Sequence, residues 1–155
     1  MREIERIITH THTQMNIINN TQWFFYNDAI KNARHRDTRQ PLSRDQFQTV
    51  VFEKPCKFYL PLVDNDIVEM IQIESASITV VQILSTVEEF YRRPLLQDTV
   101  VKVFANLDKE FYDAWHDYRR NVSYLQNYHL LNDSSSLPQF RGIEEYKDGF
   151  LVLID

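Results

Sequence analysis

Two histidines near the amino end are spaced as metal ligands can be. In the stretch "ITHTHTQM", His10 and His12 lie two positions apart. On a β-strand they share one face, where two imidazoles can bind a divalent ion. A stable zinc site needs three or four protein ligands, and His35, His116 and His129 are distant in sequence. We therefore predict no metal site and no cofactor, and a structural or solvated role for the pair.

The stretch "KNARHRDTR" is the most basic part of the chain. It places Lys31, Arg34, Arg36 and Arg39 around a single aspartate. Such a cluster can contact phosphates or an acidic partner, and the aromatic residues at 23–26 offer stacking surfaces. Against this, the chain carries a net charge of −5, which repels nucleic acid elsewhere on the surface. Nucleic-acid binding is therefore the alternative interpretation and not the first.

Carboxylates and the single thiol are the remaining candidates for catalysis. Asp113 and Asp117 are one helical turn apart, so they could bind magnesium or share a proton. No partner motif accompanies them, and Cys56 stands beside Lys57 without an identifiable base. We predict no catalytic residue, and an enzyme of unrecognised type is the third interpretation.

Glycine is scarce, and its scarcity excludes several enzyme classes. The chain has 155 residues and only two glycines, neither of them within the first 141 residues. Phosphate-binding loops of the dinucleotide and P-loop kinds need several glycines, and the Gly-x-Ser-x-Gly nucleophile elbow needs two. The sequence therefore argues against nucleotide enzymes of these kinds and against that class of hydrolase.

An aromatic and aliphatic stripe follows in the second half of the chain. Its spacing of 4, 3, 4, 3 predicts one face of a helix at about 108–130, formed by Phe111, Trp115, Tyr118, Val122 and Leu125. Core packing explains much of such a stripe. Trp and Tyr also dominate interface hot spots, so we predict that this face contacts a partner chain.

Other periodic segments predict the elements that position these residues. Thr79 stands three residues before Gln82 as in a capping box, so a helix is expected at about 79–93, ending at Pro94. Spacings of three and four behind Thr21 predict another helix at about 21–35. Residues 4–13 fit either a short helix or a strand. Alternation of Phe47, Thr49 and Val51 with their neighbours predicts extended chain, although Ser43 could also cap a short helix there.

Two β-hairpins complete the predicted fold. "KFYLPLV" and "IVEMIQIE" flank an Asp-Asn-Asp turn and predict a hairpin at about 57–74. Pro61 lacks an N–H, which predicts an edge strand or a bulge there. Asp148-Gly149 predicts a second hairpin at about 140–154, and "TVVKVF" predicts a strand at 99–104. The whole chain, 1–155, is therefore predicted as a single α+β domain with a mostly antiparallel sheet.

Composition sets the expected location. Hydrophobic residues make up 43% of the chain, and no apolar run is long enough to span a membrane. The amino end, "MREIERIITH", is too charged for a secretory signal, and one cysteine allows no intrachain disulfide. We expect an intracellular, cytoplasmic protein without a membrane partner.

Two segments carry a resemblance. "ITVVQILSTVEEFYRRPL" and "FRGIEEYKDGFLVLI" resemble segments of uncharacterised proteins encoded by large cytoplasmic DNA viruses. The resemblance implies a viral protein of the host cytoplasm or the virion, and it implies no catalytic residue. Together these observations predict a non-enzymatic protein-interaction or structural module that self-associates as a homodimer, with nucleic-acid binding through 31–39 as the alternative.

Overall fold

The structure is a computed structural model that describes residues 15–25, 29–62, 68–94, 127, 131 and 138–155. Residues 15–19 are helical and form α1. The remaining elements, in chain order, are β1 (Thr21–Phe24), α2 (Ala29–Asn32), β2 (Arg34–His35), α3 (Arg44–Phe47), β3 (Val50–Phe52), β4 (Cys56–Pro61), β5 (Val68–Ile73), β6 (Ile78–Thr79), α4 (Val80–Tyr91), β7 (Gln139–Tyr146) and β8 (Gly149–Ile154).

Most strands form one mixed sheet of six strands, in the order β2-β1-β7-β8-β4-β5. Its pairs are antiparallel except β4 with β8, which run parallel. A separate pair, β3 with β6, is also antiparallel. The α+β class and the mostly antiparallel sheet are confirmed, and so are the hairpins predicted at 57–74 and 140–154.

The helix predicted over 21–35 is wrong for most of its length. Thr21–Phe24 is strand β1, helix α2 covers only Ala29–Asn32, and Arg34–His35 is strand β2. Burial alternates with period two, since Thr21, Trp23 and Phe25 are buried while the residues between them are half-buried. Trp23 is paired with Phe140 of β7, and large aromatic side chains favour such a half-buried pleated surface. Tertiary pairing therefore overrides the helical spacing.

Helix α4 confirms the helix predicted at about 79–93. The Thr79 side chain accepts from the Gln82 N–H, and the Gln82 side chain accepts from the Thr79 N–H, as a capping box requires. Its buried face consists of Val80, Ile83, Leu84, Val87, Phe90 and Tyr91. Ser43 caps α3 in the same way and extended chain begins at Val50, so both readings of that region hold in part.

Tyr91 joins this helix to the sheet. Its ring stacks on Phe25 with centroids 4.4 Å apart, and its hydroxyl donates to the Pro61 carbonyl at 2.7 Å. Burial raises the pKa of the Tyr91 hydroxyl well above its ordinary value, so the hydroxyl stays a proton donor. The hydrogen bond therefore fixes the carboxyl end of α4 against the end of β4.

Pro61 corrects a second expectation. It does not mark an edge, because β4 lies between β5 and β8 in the sheet. The β8 pairing of β4 is confined to Phe58 and Tyr59, so Pro61 lies beyond it at the last position of the strand. The missing N–H costs no ladder bond to β8 there.

Several predictions fall outside the described residues. These are the helix at about 108–130, the strand at 99–104, the segment before residue 15 and the turn at 64–66. Within the first of these ranges Asn127 alone is described, and it is buried. Its side-chain amide donates to the Phe90 carbonyl at 2.8 Å, and its backbone N–H donates to the Arg93 carbonyl at 3.0 Å. Asn127 thus satisfies carbonyl groups at the end of α4.

Candidate functional site

The predicted basic stretch forms a corner at one edge of the sheet. Lys31 lies in α2, Arg34 in β2, and Arg36 and Arg39 in the turn that follows. The turn closes because the Arg39 N–H donates to the His35 carbonyl at 2.8 Å. Arg39 adopts a φ of 61°, which is uncommon outside glycine. The structure therefore places three of the four cations within a few residues of one tight turn.

The carboxyl-terminal hairpin contacts this corner through the backbone of Arg141. The Arg36 guanidinium donates to the Arg141 carbonyl at 2.5 Å, and Arg141 itself pairs with Asp155 at 3.0 Å. Arg34 likewise donates to the Arg39 carbonyl at 3.2 Å. Arg141 was not predicted, because 105 residues separate it from Arg36. Part of the donor capacity of this corner is used by backbone carbonyls, which reduces what remains for phosphates.

An open cleft of about 1040 Å³ lies between β3, β4 and the β7–β8 turn. Its apolar surface includes Phe52 and Phe150, whose ring centroids are 4.5 Å apart. Cys56 borders this cleft, but the free thiol is buried and donates to the Lys54 carbonyl at 3.5 Å. Burial raises the pKa of the Cys56 thiol, with a smaller opposing effect from Lys54. A thiol held protonated in this way is a poor nucleophile.

Asp148 organises the polar rim of the same cleft. It accepts from Lys57 Nζ at 2.6 Å and from the Tyr59 hydroxyl. These two hydrogen bonds lower the pKa of Asp148 to about 2, and the same bonds raise the pKa of Lys57 and of Tyr59. The Lys147 ammonium lies over the rings of Tyr59 and Tyr146, 5.8 and 5.3 Å from their centroids. This network orients the Tyr59 ring on the surface of the sheet.

The predictions about metal ions and membranes can be compared with the structure only over the residues that it describes. His10 and His12 lie outside the described residues, as do the carboxylates at 113 and 117. Among the residues that the structure does describe, no three His, Cys, Asp or Glu side chains are grouped as a metal site would require. In that same part of the chain, no helix combines the length and apolar character needed to cross a bilayer.

The two edges of the large sheet differ. One edge is β2, which has two residues, carries Arg34, and is bridged by Pro41. The other is β5, six residues of sequence VEMIQI, whose strand pairing within the described chain is with β4 alone. Met70, at its centre, is 47% exposed and is the one exposed large hydrophobic side chain of the described residues. An edge of this kind presents backbone N–H and C=O groups to a further strand.

Side chains of β5 alternate between two environments. Ile71 and Ile73 pack against the buried core, whereas Met70 and Gln72 are exposed on the opposite face. On that face Met70 is paired with Tyr59, which in turn is paired with Leu151 of β8. A row of apolar side chains thus crosses three strands and ends at the edge. The sequence VEMIQI does not alternate strictly between apolar and polar residues, so neither the exposed face of β5 nor its position at an edge was visible in the sequence.

The other predicted contact surface, the stripe of Phe111, Trp115, Tyr118, Val122 and Leu125, lies outside the described residues. Comparisons of the chain with protein-family models, curated proteins and solved structures found no significant match.

Proposed function

We propose that the chain is a non-enzymatic protein-interaction or structural module that binds a second copy of itself. The observation that supports this proposal is the β5 edge, with an exposed Met70 at its centre. A partner strand added there would satisfy the outward backbone groups and cover Met70 in one step. The function therefore rests on strand pairing rather than on an enclosed pocket.

The composition of β5 favours pairing over protection. Natural sheet edges are protected by short length, charged side chains (lysine especially), proline, bulges or inward-pointing charged residues, and Glu69 gives β5 one such charge. In the described chain β2 has such features, whereas β5 contains neither lysine nor proline and keeps a regular register with β4 through all six residues. Glu69 is the one charged residue within the strand. This difference between the two edges supports β5 as the contact surface.

The non-enzymatic part of the proposal is supported by the ionisable groups with shifted pKa values. Active sites commonly hold such groups. Here Lys57, Tyr59 and Asp148 shift because they bond one another, while Cys56 and Tyr91 shift mainly because they are buried. Each of these shifts within the described residues has a structural cause that needs no substrate.

The predicted stripe on residues 111–125 offers a second location for the same function. A viral origin, with residence in the host cytoplasm or the virion, also stays a prediction. Both surfaces would bind a second copy of the chain, so the experiment must separate the two surfaces.

Sedimentation of one charge variant at β5 and one at the predicted stripe distinguishes these two contact surfaces. We expect wild type to be a dimer at micromolar concentration and Met70→Lys to be a folded monomer, because a lysine at the centre of the β5 edge would place a charge in the contact. A dissociation constant raised at least tenfold corresponds to a loss of about 1.4 kcal/mol or more. Ser85→Lys, at an exposed position of α4, is the matched control and should remain dimeric. If Tyr118→Glu dissociates the dimer and Met70→Lys does not, the contact lies on the predicted stripe instead.

The basic corner supports nucleic-acid binding as a second candidate. The specific observation is that Arg34, Arg36 and Arg39 lie in or beside one tight turn, although Arg36 donates to the Arg141 carbonyl and Arg34 to the Arg39 carbonyl. At physiological salt we expect no binding of single-stranded oligonucleotide tighter than about micromolar, the level of ordinary non-specific contacts. Tighter binding that is lost in Arg34→Glu with Arg39→Glu, and kept in Lys54→Glu, would place this candidate first.

A further inference from the structure

Two tyrosine rings meet on the surface of the sheet beside the β7–β8 turn. Tyr146 lies in β7 and Tyr59 in β4, with β8 between these two strands. The β8 residue paired with Tyr146 is Gly149, which has no side chain that would separate the rings. The ring centroids are 5.1 Å apart, and the planes are inclined at 64°. Both tyrosines are half-buried, so both remain partly accessible to solvent.

An ammonium group of the same chain lies against both rings. Lys147 Nζ is 5.8 Å from the ring centroid of Tyr59 and 5.3 Å from that of Tyr146, within the range of about 6 Å over which cations and aromatic faces attract each other. Lys147 is exposed, and an exposed contact of this kind is weak, so its ammonium group can move away. Lys147 thus shows that the ring pair accepts an alkylammonium ion.

We propose that Tyr59 and Tyr146 form a binding site for the ammonium group of a lysine side chain on a partner protein, and that this ligand displaces Lys147. The inference goes beyond the proposed self-association and does not depend on it. Charge at the end of the hairpin fits a cationic ligand, since the run EEYKD at 144–148 holds three carboxylates and one lysine. When Lys147 moves away, the ammonium group of the ligand replaces its charge among these carboxylates.

Asp148 holds one wall of this site in place. Its carboxylate accepts from the Tyr59 hydroxyl and from Lys57 Nζ. The Tyr59 ring is therefore oriented before a ligand binds, which lowers the entropy lost on association. Because Lys57 already neutralises Asp148, the attraction for the ligand comes from the rings and from neighbouring carboxylates. Glu144 is exposed and lies in the same row as Tyr59, since both are paired with Leu151 of β8.

Titration with butylammonium chloride, which reproduces the side chain of lysine, tests the site. The NMR resonances of the Tyr59 and Tyr146 rings report binding, and sodium chloride at the same ionic strength is the reference. Lys147→Gly removes the occupant, and glycine tolerates the φ of 50° at this position. We expect Lys147→Gly to bind butylammonium about two- to fivefold more tightly than wild type, the factor that corresponds to releasing one exposed cation–π contact.

Lys54→Gln is the matched control for charge, because Lys54 is an exposed lysine that lines the same cleft as Lys147. It should keep the wild-type affinity, and an equal gain in Lys54→Gln and Lys147→Gly would overturn the proposal by showing that net charge alone decides binding. Ring resonances that shift no more in butylammonium than in sodium chloride, in Lys147→Gly, would also overturn it.

Substitutions of Tyr146 in the Lys147→Gly chain test the ring itself. Tyr146→Phe keeps the aromatic face and should keep the affinity, whereas Tyr146→Leu should lose it. Binding that survives in Tyr146→Leu would place the ammonium ion elsewhere and contradict the site. Tighter binding of tetramethylammonium than of butylammonium would mean that the ligand is a quaternary ammonium group and not a lysine. Thermal unfolding of each variant checks that the fold is kept.

Discussion

Gly149 lies where β8 passes very close to the backbone of β4. A Cβ at this position would lie 2.2 Å from the Lys57 carbonyl oxygen, closer than any real contact. Asp148-Gly149 predicted a tight turn, a place where glycine is favoured for its positive φ, but in the β7–β8 turn the positive φ belongs to Lys147, at 50°. Close approach, and not turn geometry, is therefore what requires glycine, and only the pairing of distant strands reveals it.

We expect Gly149→Ala to lower the free energy of unfolding by about 3 kcal/mol, the upper end for overpacking, because the obstacle is backbone and cannot rotate away. Urea unfolding measures the effect, and Ser85→Ala on the exposed side of α4 is the control. A loss below about 1 kcal/mol would mean that β8 moves away from β4 at little cost.

The lowered pKa of Asp148 leads to a second prediction about a single residue, which concerns how stability depends on pH. Its folded pKa of about 2 lies below the ordinary value of 3.8, because Lys57 and Tyr59 donate to the carboxylate. A lowered folded pKa contributes stability that is present above pH 3.8 and is lost as pH falls through about 2. Unfolding midpoints measured in urea across this pH range should therefore fall more steeply in wild type than in Asp148→Asn.

At the scale of elements, local signals were read correctly where they were strong. The capping box at Thr79 and the broad apolar face of α4 predicted that helix, and β-prone runs separated by turn residues predicted both hairpins. At 21–35 the spacings of three and four indicated a helix. In the structure, however, the burial of Thr21, Trp23 and Phe25 follows the period of two that is typical of a strand. Pairing with β7, which lies more than a hundred residues away, decided the outcome, and sequence periodicity does not contain that information.

Substitution of Thr79 measures how much the capping box of α4 contributes to the free energy of unfolding. Thr79→Ala removes the acceptor for the Gln82 N–H, so we expect a loss of about 1 kcal/mol in the free energy of unfolding. Thr79→Ser keeps a hydroxyl acceptor and should recover most of the loss. If Thr79→Ser is as destabilised as Thr79→Ala, the β-branched side chain opposite Val50 of β3 matters more than the hydrogen bond.

At the scale of the whole molecule, the candidate site was only partly accessible from sequence. Arg34, Arg36 and Arg39 of the predicted basic stretch lie in or beside one tight turn, whereas the contact of Arg36 with the Arg141 carbonyl forms only through the fold. VEMIQI was predicted as a strand, yet its place at an edge depends on the parallel pairing of β4 with β8, which brings the two hairpins side by side. Strand order is a global property, so the exposed face of Met70 had no local signature.

The net charge of the molecule separates the two candidate functions through salt. Each chain carries −5, so two copies repel each other at low ionic strength, while the Met70 contact itself is apolar. The Debye length shortens from about 10 Å at 0.1 M salt to about 3 Å at 1 M, so added salt should tighten the dimer in sedimentation experiments. Glu74→Gln removes an exposed carboxylate just after β5 and should weaken this dependence. Nucleic-acid binding at the basic corner must respond in the opposite direction, because salt competes with phosphate contacts. A dimer that dissociates as salt rises would mean that ion pairs, and not the β5 edge, hold the copies together.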